Sequence, residues 1–171
     1  STADFDDFWI IGIDMQSTVP EVRTTPTLTN IRVRNSSETS RGLMTGIRID
    51  GLPAVALENI ETTDLTTGIE ILNNGLRTTS TPTLTNIRVR NSSETSRTTD
   101  YGIVLSGDIT ARIDDAVLEN CSIALQYDKS GTYDRTVSTP TLTNIRVRNS
   151  SETSRAETVG IRLIDLMRVT V

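Results

Sequence analysis

The sequence predicts an all-β solenoid of about six coils, and three observations carry that prediction. The string TPTLTNIRVRNSSETSR occurs three times without a substitution, at Thr25 to Arg41, Thr81 to Arg97 and Thr139 to Arg155. Its starts lie 56 and 58 residues apart in a chain of 171 residues, which is three times 57. Between the copies, short segments alternate apolar and polar residues with period two, the mark of half-buried strands. Units this regular and too small to hold a core alone must stack on one another.

Each unit contains a weaker copy of itself. Leu28-Thr29-Asn30-Ile31 is echoed by Leu57-Glu58-Asn59-Ile60, and Leu84-Thr85-Asn86-Ile87 by Leu118-Glu119-Asn120-Cys121, before Leu142-Thr143-Asn144-Ile145. A second motif alternates with the first: Gly12-Ile13-Asp14-Met15, Gly46-Ile47-Arg48-Ile49, Gly68-Ile69-Glu70-Ile71, Gly102-Ile103-Val104-Leu105 and Gly160-Ile161-Arg162-Leu163. Ser122-Ile123-Ala124-Leu125 is expected as its sixth, weaker member. The elementary module is one coil, holding one strand of each kind. In Ile31-Arg32-Val33-Arg34 the aliphatics face one way and the arginines the other. Turn residues such as Asn35-Ser36-Ser37 and Asp50-Gly51-Leu52-Pro53 follow the strands. The expected organisation is a single domain over 1–171, with units near 1–57, 58–114 and 115–171. A β-trefoil, also built of three units, is the rival fold and treats the half-repeat as accidental.

Composition fits strands. Hydrophobic residues make up 35% and aromatics 4% of the chain, so Ile, Val and Leu must build the core. No stretch has helical periodicity, and no apolar run approaches the 18 residues of a membrane span. The opening STADFDDFW has neither a basic start nor an apolar signal core, so any targeting segment is expected to be gone. A net charge of −5 argues against nucleic acid as partner. Histidine is absent and Cys121 stands alone, which removes the commonest general base, an internal disulfide and any cysteine-based metal site. Lys129 is the only lysine.

The Leu-x-Asn-Ile-x-Val-x-Asn and Gly-Ile-x-Ile patterns resemble the right-handed parallel β-helix of the pectate-lyase-like superfamily, which includes polysaccharide lyases, glycosidases and phage tailspikes. The resemblance spans nearly the whole chain and concerns architecture. It implies that Asn30, Asn59, Asn86, Asn120 and Asn144 stack into an asparagine ladder at a turn. Counting along consecutive coils, Arg32 adjoins Glu61 and then Arg88, and Arg48 adjoins Glu70. Arg-bearing coils then alternate with Glu-bearing ones, an arrangement that fades in the third unit at Ser122 and Ala124.

Chemistry is sparse. The adjacent acidic pairs Asp6-Asp7 and Asp114-Asp115 read as solvated turn or edge residues rather than the paired carboxylates of a glycosidase. No Asp-x-Asp-x-Asp calcium loop occurs. No catalytic residue, metal or cofactor is expected. Thr25-Pro26-Thr27-Leu28-Thr29 is similar to the threonine ladders of ice-binding solenoids, but Ala54, Val55 and Ala56 interrupt the rows. Cys121 is expected as a small apolar residue in an inward isoleucine's place. Asn35, Asn91 and Asn149 open Asn-x-Ser sequons and are candidate glycosylation positions, whereas Asn120 is expected to be buried. Arg41, Arg97 and Arg155 are expected to pair with Glu38, Glu94 and Glu152.

The repeat register aligns Ser1 with Leu57 and Val171 with Leu57, so the chain is expected to start and stop at one phase. Open strand edges at both ends are templates for association. Phe5, Phe8 and Trp9 gather at the start, and Leu163, Leu166, Met167, Val169 and Val171 at the finish. The expectation is a non-catalytic structural subunit of an extracellular, cell-surface or virion-associated fibre, joined head to tail through these ends. A β-helical part of a tailspike or adhesin that binds surface polysaccharide is the second reading, and a polysaccharide-degrading enzyme the third.

Overall fold

The computed structural model describes residues 3–6, 11–17, 25–35, 44–73, 79–91, 100–129, 139–148 and 159–164. Its strands are, in order, β1 (Ala3–Asp6), β2 (Ile11–Gln16), β3 (Thr27–Arg34), β4 (Thr45–Asp50), β5 (Ala56–Thr63) and β6 (Thr67–Asn73). There follow β7 (Thr83–Arg90), β8 (Tyr101–Gly107), β9 (Arg112–Glu119), β10 (Ile123–Asp128), β11 (Thr141–Arg148) and β12 (Val159–Ile164). The odd strands form one six-stranded sheet in the order β1-β3-β5-β7-β9-β11, and the even strands form the other. All pairings are parallel, each strand lying beside the one two positions later in the chain. This is a parallel β-solenoid of about six coils, and it excludes the trefoil. Every coil contributes one row to each sheet.

Period two puts one face of each strand inside, and stacking turns those positions into columns. In the first sheet the inward columns are Leu28-Leu57-Leu84-Ile113-Leu142, Ile31-Ile60-Ile87-Ala116-Ile145 and Val33-Thr62-Val89-Leu118-Val147. In the second they are Ile13-Ile47-Ile69-Ile103-Leu125-Ile161 and Met15-Ile49-Ile71-Leu105-Tyr127-Leu163. Most members between the first and last rows are buried. The Tyr127 hydroxyl donates to the Ile109 carbonyl, which satisfies this buried phenol. Thr62 is the odd member of an aliphatic column, and its buried Oγ1 has no hydrogen-bond partner among the described residues.

Register corrects three sequence expectations. Glu70, Val104 and Gln126 share an outward column, with Leu125 level with Ile103 and Ile69. The sixth glycine motif is therefore shifted by two residues: Ala124 takes the glycine place and Gln126 the acid's. Ile87 pairs with Ala116 and Arg90 with Glu119, so Ile113-Asp114-Asp115-Ala116 is the true echo of Leu84-Thr85-Asn86-Ile87. Ala116 thus holds the inward isoleucine place. Cys121 lies beyond the strand's end, buried, with its Sγ near the Glu119 carbonyl at 3.6 Å. At the start, Ala3 pairs with Ile31 and Ile31 with Ile60. The first-sheet phase is therefore one residue removed from the alignment that sets Ser1 on Leu57.

Candidate functional site

The outer face of the first sheet owes its shape to one backbone irregularity repeated in five rows. Asn30, Asn59, Asn86, Asp115 and Asn144 all adopt positive φ, between 53° and 59°, in mid-strand. Asn and Asp enter this left-handed region at least cost after glycine. The conformation interrupts the alternation, so the flanking Leu and Ile both point inward. It also turns the amides outward, one above another. Asn59 Nδ2 donates to Asn30 Oδ1 at 3.1 Å, and Asn86 Nδ2 donates to Asn59 Oδ1 at 2.6 Å. The next row breaks the chain of amides, because Asp115 is a pure acceptor. Asn144 Nδ2 lies 3.4 Å from Asp114 Oδ1 instead.

Asn120 is not in this column. It stands level with Asn91, Asp64 and Asn35 in a second column at the strand ends, where Asp64 and Asn120 again have positive φ. Asn35 and Asn91 are buried there, at 5% and 3% exposure. Asn35 Nδ2 points at Met44 Sδ, 3.2 Å away. Asn91 Oδ1 accepts from the Leu65 amide at 3.1 Å, and its Nδ2 faces Cys121 Sγ at 3.9 Å. A glycan on Nδ2 of either residue would have to occupy the core, so the folded chain excludes both as glycosylation positions. Asn120, expected to be buried, is half-exposed and donates to the Asn91 carbonyl at 2.9 Å. Asn149 lies outside the described residues.

Beside the amides run two outward charge columns: Asp4-Arg32-Glu61-Arg88-Val117-Arg146 and Arg34-Thr63-Arg90-Glu119-Arg148. Arg32 Nε lies 3.2 Å from Glu61 Oε2. Glu119 sits between two arginines, 2.9 Å from Arg90 and 3.8 Å from Arg148. These exposed pairs contribute about 0.2–1 kcal/mol each, so they fix register more than stability. The amide and first charge columns border an open groove of about 180 Å³ lined by Asn30, Arg32, Asn59, Ile60, Glu61, Asn86 and Arg88. Asp114 and Asp115 lie mid-strand in β9, not at a turn.

The second sheet's outer column is Asp14-Arg48-Glu70-Val104-Gln126-Arg162. Arg48 contacts Glu70 at 3.6 Å and Asp50 at 3.8 Å. Burial raises the Glu70 carboxyl above its usual range; Arg48 opposes the shift, while Asp50 and Asp14 add to it. At a corner, Lys129 Nζ lies 3.6 Å from Asp108 Oδ1 with both side chains nearly buried, and Thr79 Oγ1 donates to Asp108 Oδ2 at 2.8 Å. Sequence reading singled out Lys129 only as the lone lysine. Nothing periodic links it to Asp108, so this buried pair had no signal.

The last described rows differ from the rest. Val147, Ile161 and Leu163 occupy inward columns yet are exposed at 37%, 39% and 41%. Of the aromatics at the start, Phe5 pairs through its backbone with Val33. Phe8, Trp9, Leu166, Met167, Val169 and Val171 lie outside the described residues, as do Arg41, Arg97 and Arg155. Among the described residues no group of three or more His, Cys, Asp or Glu side chains could hold a metal ion. No helix among them is long and apolar enough to cross a membrane. No protein-family model, curated protein or solved structure matches this chain.

Proposed function

We propose that the protein is a non-catalytic structural subunit that associates head to tail through the ends of its solenoid into a fibre or surface assembly. The observation that carries this reading is the apolar end row: Val147, Ile161 and Leu163 sit in core columns and yet face solvent. A strand edge also presents unpaired backbone donors and acceptors in the spacing that another parallel strand needs. Apolar columns and an open edge on one surface supply both terms of β-augmentation, main-chain hydrogen bonding and side-chain burial. Two different ends meeting make a heterologous contact, which propagates unless the rotation closes a ring. Stacked coils leave little rotation between subunits, so a linear fibre follows. An extracellular, cell-surface or virion setting suits such a fibre, and a pectate-lyase-like parallel β-helix is the architecture to which the strand patterns point.

Sedimentation velocity of the purified chain over a hundredfold concentration range tests the reading. Mass that grows with concentration is expected. A sharp monomer boundary at every concentration contradicts it.

A second reading has its own observation. The groove of Asn30, Asn59 and Asn86, flanked by Arg32, Glu61 and Arg88, presents amides and the Arg88 guanidinium, with Arg32 paired to Glu61, to a surface polysaccharide bearing acidic groups, as in a tailspike or adhesin. Arg88→Ala with Arg32→Ala should then lower retention on an acidic-glycan matrix while leaving self-association unchanged.

A further inference from the structure

Building on the head-to-tail reading, we infer that the partner at the joint is a second copy of this chain in one defined register. Strands β11 and β12 of one copy stack on β1 and β2 of the next, so that the charge alternation inside the solenoid continues across the boundary.

Two outward columns have an acid in the first row and an arginine in the last, running from Asp4 to Arg146 and from Asp14 to Arg162, and the backbone of Asp6 stands in the first row of the column that finishes at Arg148. Inside the solenoid the same columns bring Arg beside Glu at Arg32–Glu61, Arg48–Glu70 and Glu119–Arg148. Stacking the last row on a first row therefore sets Arg146 beside Asp4 and Arg162 beside Asp14, with Arg148 level with Asp6. Asp4, Asp14 and Arg146 are exposed, and Arg162 is half-exposed. Among the described residues neither Arg146 nor Arg162 has an ion-pair partner. The apolar columns agree: Ile161 meets Ile13 and Leu163 meets Met15, each repeating a contact of aliphatic or thioether side chains that the interior already makes. Shifting the register by one residue sets arginines on core columns, a cost that apolar contact does not offset.

Glycine gives a separate line of argument. In the second sheet a Cβ on Gly46 would lie 2.6 Å from the Gly68 carbonyl oxygen, and one on Gly68 would lie 2.7 Å from that of Gly102. Each such direction points at the row that follows. Gly160, in the last row, has nothing within 4 Å of the same point. Among the described residues nothing occupies the space that glycine keeps clear there, and in the joint the backbone of a second copy's β2 fills it.

Reversing the charges at one end at a time tests the register. A head-reversed variant carries Asp4→Arg with Asp14→Arg, and a tail-reversed variant carries Arg146→Asp with Arg162→Asp. Sedimentation and light scattering at low salt give the critical concentration. Each variant alone meets like charges at its joint, so its critical concentration should rise by at least about tenfold over the unmodified chain. A mixture of the two variants sets every acid against an arginine and should assemble near the unmodified concentration. Gly160→Val provides a check that leaves all charges in place: unchanged circular dichroism and melting, with assembly lost. If the unmodified chain assembles and the single-end variants assemble equally well, the register is wrong while the fibre reading stands. A mixture no better than its components overturns the register in the same way. An unmodified chain that never assembles overturns both.

Discussion

The two sheets carry the same number of rows and both depart from strict alternation, yet they do so by different physics. In the first sheet the break is conformational: Asn30, Asn59, Asn86, Asp115 and Asn144 take positive φ, and their side chains turn outward. In the second it is spatial. Gly46, Gly68 and Gly102 are not among the positive-φ residues; they are glycine because the following row's backbone fills the place of a Cβ. The lesson concerns what each column tolerates. A conformational constraint accepts any residue that enters the left-handed region, hence Asp115 among asparagines. A spatial constraint accepts only the smallest side chains, hence Ala124 as the one described departure from glycine.

The largest effect should come from the spatial column. Gly68→Ala places a Cβ 2.7 Å from both the Gly102 carbonyl oxygen and Thr62 Oγ1, and 2.9 Å from Val89 Cγ1. We expect a loss of about 2–3 kcal/mol in urea unfolding, against less than about 0.5 kcal/mol for Gly160→Ala, which meets nothing among the described residues. Equal losses at the two positions would erase the distinction between the sheets.

The conformational column should respond less and differently. Asn59→Ala loses both ladder hydrogen bonds and puts alanine in the left-handed region, for about 1–2 kcal/mol. Asn59→Gly should recover the conformational part alone. Asn59→Asp keeps the conformation, as Asp115 does, but cannot donate to Asn30. If glycine restores nothing, the asparagines are held by their hydrogen bonds and not by φ.

Thr62 belongs to the first sheet but touches the glycines of the second. Its buried hydroxyl lacks a partner among the described residues, and its column neighbours are Val33 and Val89. Thr62→Val should therefore stabilise the chain by about 1 kcal/mol in the same unfolding assay.

The smallest effect sits on the second sheet's outer face. Glu70 has its folded-state pKa raised above the ordinary 4.5, chiefly by burial. The folded chain thus holds the Glu70 proton more tightly than the unfolded chain. That contribution is present in full below 4.5 and is lost as pH rises through the folded value. Comparing Glu70→Gln with the unmodified chain, the variant's relative stability should climb with pH just above 4.5 and then level off. A relative stability that falls over that range would show that attraction to Arg48 outweighs burial.

Much of this architecture was legible because identical strings mark equal phases. The Arg32–Glu61 and Arg48–Glu70 neighbours followed from counting alone. What escaped lay where the third unit departs from the string. Leu118-Glu119-Asn120-Cys121 matches the ladder motif at its Leu and Asn and lacks only its Ile, but Ile113-Asp114-Asp115-Ala116 is what folds there. Asp serves as well as Asn at positive φ, and Ala fills an inward place beside larger neighbours. Sequons misled at Asn35 and Asn91 for a related reason: a strand's last asparagine can satisfy turn amides from inside the coil, and the three-letter pattern does not record which way it faces. The Lys129–Asp108 corner joins different coils and has no periodic trace.

Image reconstruction of the assembled material tests the central claim most directly. The account predicts a filament with one subunit per about 29 Å of axis, six rows at about 4.8 Å, and no gap in the row spacing at subunit boundaries. A longer axial step, a break in the rows at each boundary, or subunits joined side by side would contradict it.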